Sequence, residues 1–160
     1  MPRTPLAQIV EQLRACYGEP RPPRLSGPWE MVLWENVAYL ADDDRRRAAF
    51  QILKKRVGVD PSKILAASDE ALLEVTRHGI MAEQFADKLR ECARIVLEHF
   101  DGDLRPVLQL PIAKAKKALQ KFPGIGEPGA EKILLFTRTS PTLAPESNAL
   151  RVLLRLGFGE

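Results

Sequence analysis

The chain has no strand-like alternation longer than three or four residues, no apolar run approaching eighteen, and two cysteines in 160 residues. The first absence leaves helix as the only regular structure the sequence supports. The second excludes a membrane-spanning helix and implies no membrane partner. The third excludes a four-thiolate iron–sulfur cluster. Cys16 and Cys92 lie far apart, each on a helical pattern, and read as buried small hydrophobes instead of a disulfide or metal site. Charge of one sign is scarce too, the net value being +3. Its distribution is uneven: residues 1–100 carry 15 Lys+Arg against 15 Asp+Glu, and residues 101–160 carry 9 against 6. That is the direction a nucleic-acid site would take, and equally that of an ordinary solvated surface. The opening "MPRTPLAQIVEQL" carries charge through a helical period, which does not fit a signal peptide, so a cytoplasmic location is expected.

What is present is helical punctuation. Thr4-Pro5 reads as N-cap and first-turn proline for a helix with Leu6, Ile9, Val10 and Leu13 on one face. After a proline-rich loop (18–28), Ser26 starts "WEMVLWENVAYLA", apolar nearly all round and therefore central. The run "DDDRRR" suits a helix macrodipole, with Phe50, Ile52, Leu53 and Val57 as the apolar face behind it. Asp60-Pro61 and Ser68 start two short helices, the second stopped by Gly79. A long amphipathic helix sets Phe85, Leu89, Cys92, Val96 and Phe100 in register. His78 and His99 stand alone near helix ends and read as capping or surface residues. Nine or ten helices in a multi-helix orthogonal bundle are expected.

The segment "KFPGIGEPGAEKILLF" (121–136) asks for a different explanation. Two glycines around one apolar residue, between two helices, make a tight turn in which backbone can take positive φ and approach a partner closely. The following helix offers free N–H groups and a partial positive charge, a phosphate seat that needs no charged side chain. Ile125 would tuck between the helices, and Lys121 and Lys132 would flank the seat. A plain helix–helix connection fits the same glycine spacing.

"LQKFPGIGEPGAEKILLF" followed by "PTLAPESNALRVLLRLG" resembles the helix-hairpin-helix DNA glycosylases of the endonuclease III superfamily. The hairpin matches at Pro123, Gly124, Ile125 and Gly126, and "LRVLLRLG" is similar to the apolar helix that follows the family's aspartate. Weaker similarity runs through "GPWEMVLWENVAYLADD" and "RHGIMAEQFADKLRECARIVLEHFDG". The resemblance implies a base-excision repair fold that binds duplex DNA as a monomer, associated with the nucleoid. The Gly124 and Gly126 amides would meet the phosphodiester backbone, and carbonyls of 122–126 would hold Na+ or K+. Glu146 occupies the position of the acid that stabilises the sugar cation, with Arg151 about a turn beyond it.

The departures from the family pattern narrow the chemistry. Bifunctional members carry a nucleophilic lysine where this chain has Pro128, so the lyase route is not expected. Lys132, roughly 6 Å further along the same face, is a weak substitute. Glu146 keeps a carboxylate but lengthens it by a methylene, and Ser147 could take over as N-cap; a surface acid at a helix start remains the other reading. Leu40 falls where members have a glutamine that fills the flipped-base gap, and is either an apolar wedge or a core leucine. Ile80 falls at a second wedge position. One domain (1–160) is expected from the length, and members of the family continue beyond the point matching Glu160. Its helical core spans about 28–136, the hairpin sits at 122–126, and 1–20 with 146–160 form a shortened second lobe. The reading is a monofunctional N-glycosylase with Glu146 as its acid and no further cofactor. The alternative is a catalytically inactive DNA-binding module of the same fold.

Overall fold

Helix α2 (Pro28–Asn36) is central because it has almost no polar face. Seven of its nine residues are buried, Val32 and Leu33 completely. In the computed structural model, which describes residues 5–159, α2 packs against three other helices: α3 (Asp43–Arg56), α6 (Ala82–Phe100) and α8 (Glu127–Phe136). Ser26 does not cap α2. Gly27 holds that position with Pro28 at the first turn, and the Ser26 amide donates to Glu30 Oε2 at 3.0 Å instead. The helix also ends earlier than its apolar run, which bends away after Asn36.

Around α2 the local signals are obeyed. Asp42 caps α3 by accepting from the Arg45 amide at 2.8 Å, and acids fill the first turn and bases the last. Phe50 and Leu53 are buried on its inner face, with Ile52 and Val57 partly covered beside them. Asp60 caps α4 (Pro61–Ala66) and Ser68 caps α5 (Asp69–Thr76). Gly79 is not the stop for α5, which closes at Thr76 with Arg77 in the cap position. Helix α6 buries Phe85, Leu89, Cys92 and Val96 along one stripe. A 3-10 turn (Arg105–Gln109) leads into α7 (Ile112–Leu119), which packs on α8.

Among the described residues there are nine α-helices and no strand, an all-α fold. No helix there is long and apolar enough to cross a membrane. The chain divides into two compact units. The larger, Leu25–Ala144, contains both apolar clusters. One cluster gathers α6, α7 and α8 around Phe122 and Ile125; the other gathers α2 to α6 around Leu53, Ile64 and Leu72. The smaller unit holds α1 (Leu6–Tyr17) and α9 (Ser147–Arg155), neither of which has a fully buried residue. Thr4 lies outside the described residues, and Pro5 stands at the N-cap of α1. Cys16 is exposed on α1, against the expectation of burial, because a twelve-residue helix with no deep packing covers neither face. Cys92 is buried, and burial pushes its thiol up to about 12, which keeps it protonated and inert.

Candidate nucleic-acid interface

The turn between α7 and α8 is built on one glycine. Gly124 has φ +80°, a conformation that costs an L side chain strain. A Cβ there would also fall 2.7 Å from Asn36 Oδ1. Gly126 is different: its φ of −84° and ψ of −171° are extended backbone open to any residue, so positive φ is required once in this turn, not twice. Ile125 between them is buried and joins the apolar cluster beneath, as its place in the turn suggests. The Ile125 amide closes the turn on the Phe122 carbonyl at 3.1 Å, and the Ala130 amide enters the helix ladder through the Gly126 carbonyl at 2.9 Å. The Gly124 and Gly126 amides have no backbone acceptor among the described residues, and both glycines are exposed. An anion placed there meets free donors and the positive end of a ten-residue helix.

Charge around the turn is arranged in pairs. Lys116 of α7 donates to Glu127 and Glu131 of α8 at 2.6 and 2.8 Å, tying the two helices of the hairpin together. The hydrogen bond from Lys116 holds the Glu127 carboxyl below its ordinary range, and donating to Glu127 and Glu131 raises the Lys116 ammonium. Lys132 is committed to Glu35 of α2, Nζ to Oε2 at 2.9 Å, while Glu35 Oε1 is buried with no partner. Lys121 lies exposed, its ammonium 5.7 Å from the centre of the Phe100 ring. Pro128 occupies the first turn of α8, where a missing N–H costs nothing.

Leu40 and Ile80 are brought together although forty positions separate them. The Ile80 amide donates to the Tyr39 carbonyl at 3.0 Å, and Tyr39 stacks on Phe85 with centroids 4.6 Å apart. Gly79 makes the approach feasible, since a Cβ there would lie 2.3 Å from the Tyr39 nitrogen. Leu40 is 70% exposed with φ +52°, which rules out the core-leucine reading, and Ile80 is 50% exposed. Met81 beside it is half exposed with φ +57°. Sequence reasoning missed Met81, Glu35, Asn36 and Lys116. The one available signal was the adjacent polar pair Glu35 and Asn36 interrupting the apolar run after Glu30.

In the smaller unit, Glu146 itself takes the N-cap position of α9 in extended backbone, without a side-chain cap bond. Ser147 is the first helical residue and not the cap. Arg151 is exposed and donates to Asn148 Oδ1. Among the described residues, no group of three or more His, Cys, Asp or Glu could hold a metal ion; His78 and His99 stay apart, His99 in the last turn of α6.

No protein-family model matches the chain. Endonuclease III of Thermotoga maritima is 24% identical over 139 residues, which are 87% of this chain and 61% of that protein. The chain thus spans less than two thirds of the length of this relative. A solved structure of a trapped endonuclease III–DNA covalent intermediate, an estranged-adenine complex, superposes with a TM-score of 0.74 at 18% identity. That match covers 96% of this chain and 70% of the other. By sequence the chain is similar to endonuclease III, and it shares the helical fold of the endonuclease III structure.

Proposed function

We propose that this protein binds duplex DNA through the α7–α8 hairpin and removes a damaged base as a monofunctional N-glycosylase, with Glu146 as the acid. The observation that carries the binding half is the turn at Gly124: exposed, with unused amides ahead of a helix N-terminus. Exposed Lys121 and Arg151 add attraction, while the Lys132 charge is offset by Glu35, and the Leu40–Ile80 clasp presents apolar side chains to the base stack. In the chemical half, the C1′–N bond of the flipped nucleotide breaks and its electron pair leaves with the base. The Glu146 carboxylate stabilises the positive charge on C1′ and takes the proton of the water that adds there. A Schiff-base route is disfavoured because Pro128 has no amine and the Lys132 ammonium is held by Glu35. The same two facts support the second reading, a DNA-binding module without chemistry.

A monovalent cation fits the turn only in part. The Phe122, Pro123 and Gly126 carbonyls already accept hydrogen bonds, so an ion would be held by those of Gly124 and Ile125 together with a phosphate oxygen. It would add positive charge at the seat.

Two substitutions probe the binding surface. Lys116→Met leaves Glu127 and Glu131 unneutralised beside the seat and is expected to weaken duplex binding about three- to tenfold, more at low salt. Titration of one labelled duplex at two salt concentrations checks it. Leu40→Ala is expected to leave stability within about 0.5 kcal/mol, since its side chain faces solvent. It should reduce the preference for a lesion-bearing duplex over an intact one about fivefold, because the wedge replaces lost stacking; competition binding measures this. The function itself is tested by incubating the protein with duplexes that each carry one damaged or mismatched base, followed by alkali. Strand breaks that need alkali, with no adduct trapped by borohydride, establish the monofunctional glycosylase. Binding without release on every duplex leaves the DNA-binding module.

A further inference from the structure

Asn36 is the last residue of α2 and is completely buried. An amide in such a place calls for a reason, because each of its polar atoms loses water on folding. One of its donors is accounted for locally: Nδ2 donates to the Val32 carbonyl at 3.0 Å, one turn back in the same helix. The other bond is not local. Nδ2 also donates at 3.1 Å to the carbonyl of Pro123, 87 positions away in the hairpin turn. The Cys92 sulfur lies within 4.0 Å of both groups, 3.8 Å from Nδ2 and 4.0 Å from the Pro123 carbonyl oxygen. Oδ1 has no donor and lies 2.7 Å from where a Cβ on Gly124 would be.

We infer that Asn36 is a positioning residue for the hairpin: its side-chain amide fixes the Pro123–Gly124 peptide to the central helix, and so sets where the turn presents its free amides. The inference rests on the reading of that turn as the phosphate seat. A leucine has the same branching and the same number of side-chain heavy atoms but offers nothing to the Val32 and Pro123 carbonyls, so packing alone does not account for the amide. The Lys132–Glu35 pair holds α8 to α2 but does not touch the turn, whose own other anchors, Phe122 and Ile125, are apolar and hold it by shape alone. An apolar anchor resists removal and tolerates rotation. A hydrogen bond to a carbonyl constrains the orientation of the peptide plane, and a phosphate held by two or three backbone amides depends on that orientation.

The experiment compares Asn36→Leu with Ile64→Val, a core truncation in α4 remote from the turn. Two quantities are read in each: hydrogen exchange of the Ile125 amide, which closes the turn, and affinity for a 20-base-pair duplex as a function of salt. In Asn36→Leu the Ile125 amide is expected to exchange about tenfold faster, while the Ile64 amide, bonded to the Asp60 carbonyl, keeps its rate. Duplex affinity is expected to fall about tenfold, with a salt dependence shallower by about one phosphate. Ile64→Val should change neither affinity nor salt slope. Unchanged Ile125 exchange in Asn36→Leu overturns the positioning role, as does unchanged affinity in a protein that binds DNA. Faster exchange in a protein whose wild type binds no duplex at all leaves the tether standing and sinks the phosphate-seat reading instead. Should Asn36→Leu fail to fold, Asn36→Ser, which shortens the side chain beyond reach of Pro123, is read the same way.

Discussion

Gly124→Ala is expected to lose duplex binding by at least tenfold and to destabilise the fold by about 2–4 kcal/mol. Two independent costs add. The left-handed backbone at φ +80° costs an alanine about 1–2 kcal/mol. The new methyl must also displace Asn36 Oδ1 from 2.7 Å, and Asn36 has nowhere to go, being fully buried and bonded on its other side. Relief requires the turn to move outward, which carries the Gly124 and Gly126 amides with it. Gly126→Ala is the matched control. Its backbone is extended and the nearest atom to its Cβ would be Pro128 Cδ at 3.8 Å, so stability should hold within about 0.5 kcal/mol. Thermal melts and duplex titrations on both variants decide it; equal losses at the two glycines would mean that the turn's geometry is not what Gly124 protects.

Glu146→Gln is expected to lower base release by about a hundredfold or more, while duplex affinity changes less than about threefold. Removing one group that stabilises developing charge costs on the order of 10²–10³ in rate. Glutamine keeps the length and the extended backbone of the α9 cap position, and Glu146 makes no side-chain cap bond that would be lost. Helix α9 should therefore form as before, and single-turnover release isolates the carboxylate's charge. Release at the wild-type rate in Glu146→Gln would assign the acid elsewhere in the chain.

Features set within one helical turn were legible without a structure. Asp60 and Ser68 cap where their spacing says, because a cap bond spans two or three residues, and the acids of "DDDRRR" open α3 as their charge order says. The stripe on α6 and the burial of Ile125 follow from periodicity and from an apolar residue held between two helices. What escaped notice depends on contacts between distant segments. Asn36 is one polar residue inside an apolar run until the Pro123 carbonyl arrives from 87 positions on. Gly79 reads as a helix stop until the Tyr39 backbone is laid against it. Lys132 reads as a flank of the seat until Glu35 is laid beside it, and the two pair only because α2 and α8 are neighbours. Cys16 shows the opposite failure: an amphipathic pattern names an apolar face and does not say how deeply it is covered.

The clasp between the Tyr39–Leu40 and Ile80–Met81 loops has a thermodynamic consequence for whatever meets it. Leu40 and Met81 both sit in left-handed backbone, which costs about 1–2 kcal/mol each and persists only because the surrounding structure holds it. That cost is borne when the chain folds. The loops are pinned by a backbone hydrogen bond, a ring stack and a glycine with no room for a side chain, so little conformational entropy is left to lose on contact. A surface prepared in this way cannot mould itself to a partner. If this surface meets DNA as proposed, the adjustment of shape falls on the duplex, and discrimination follows from how easily each duplex deforms.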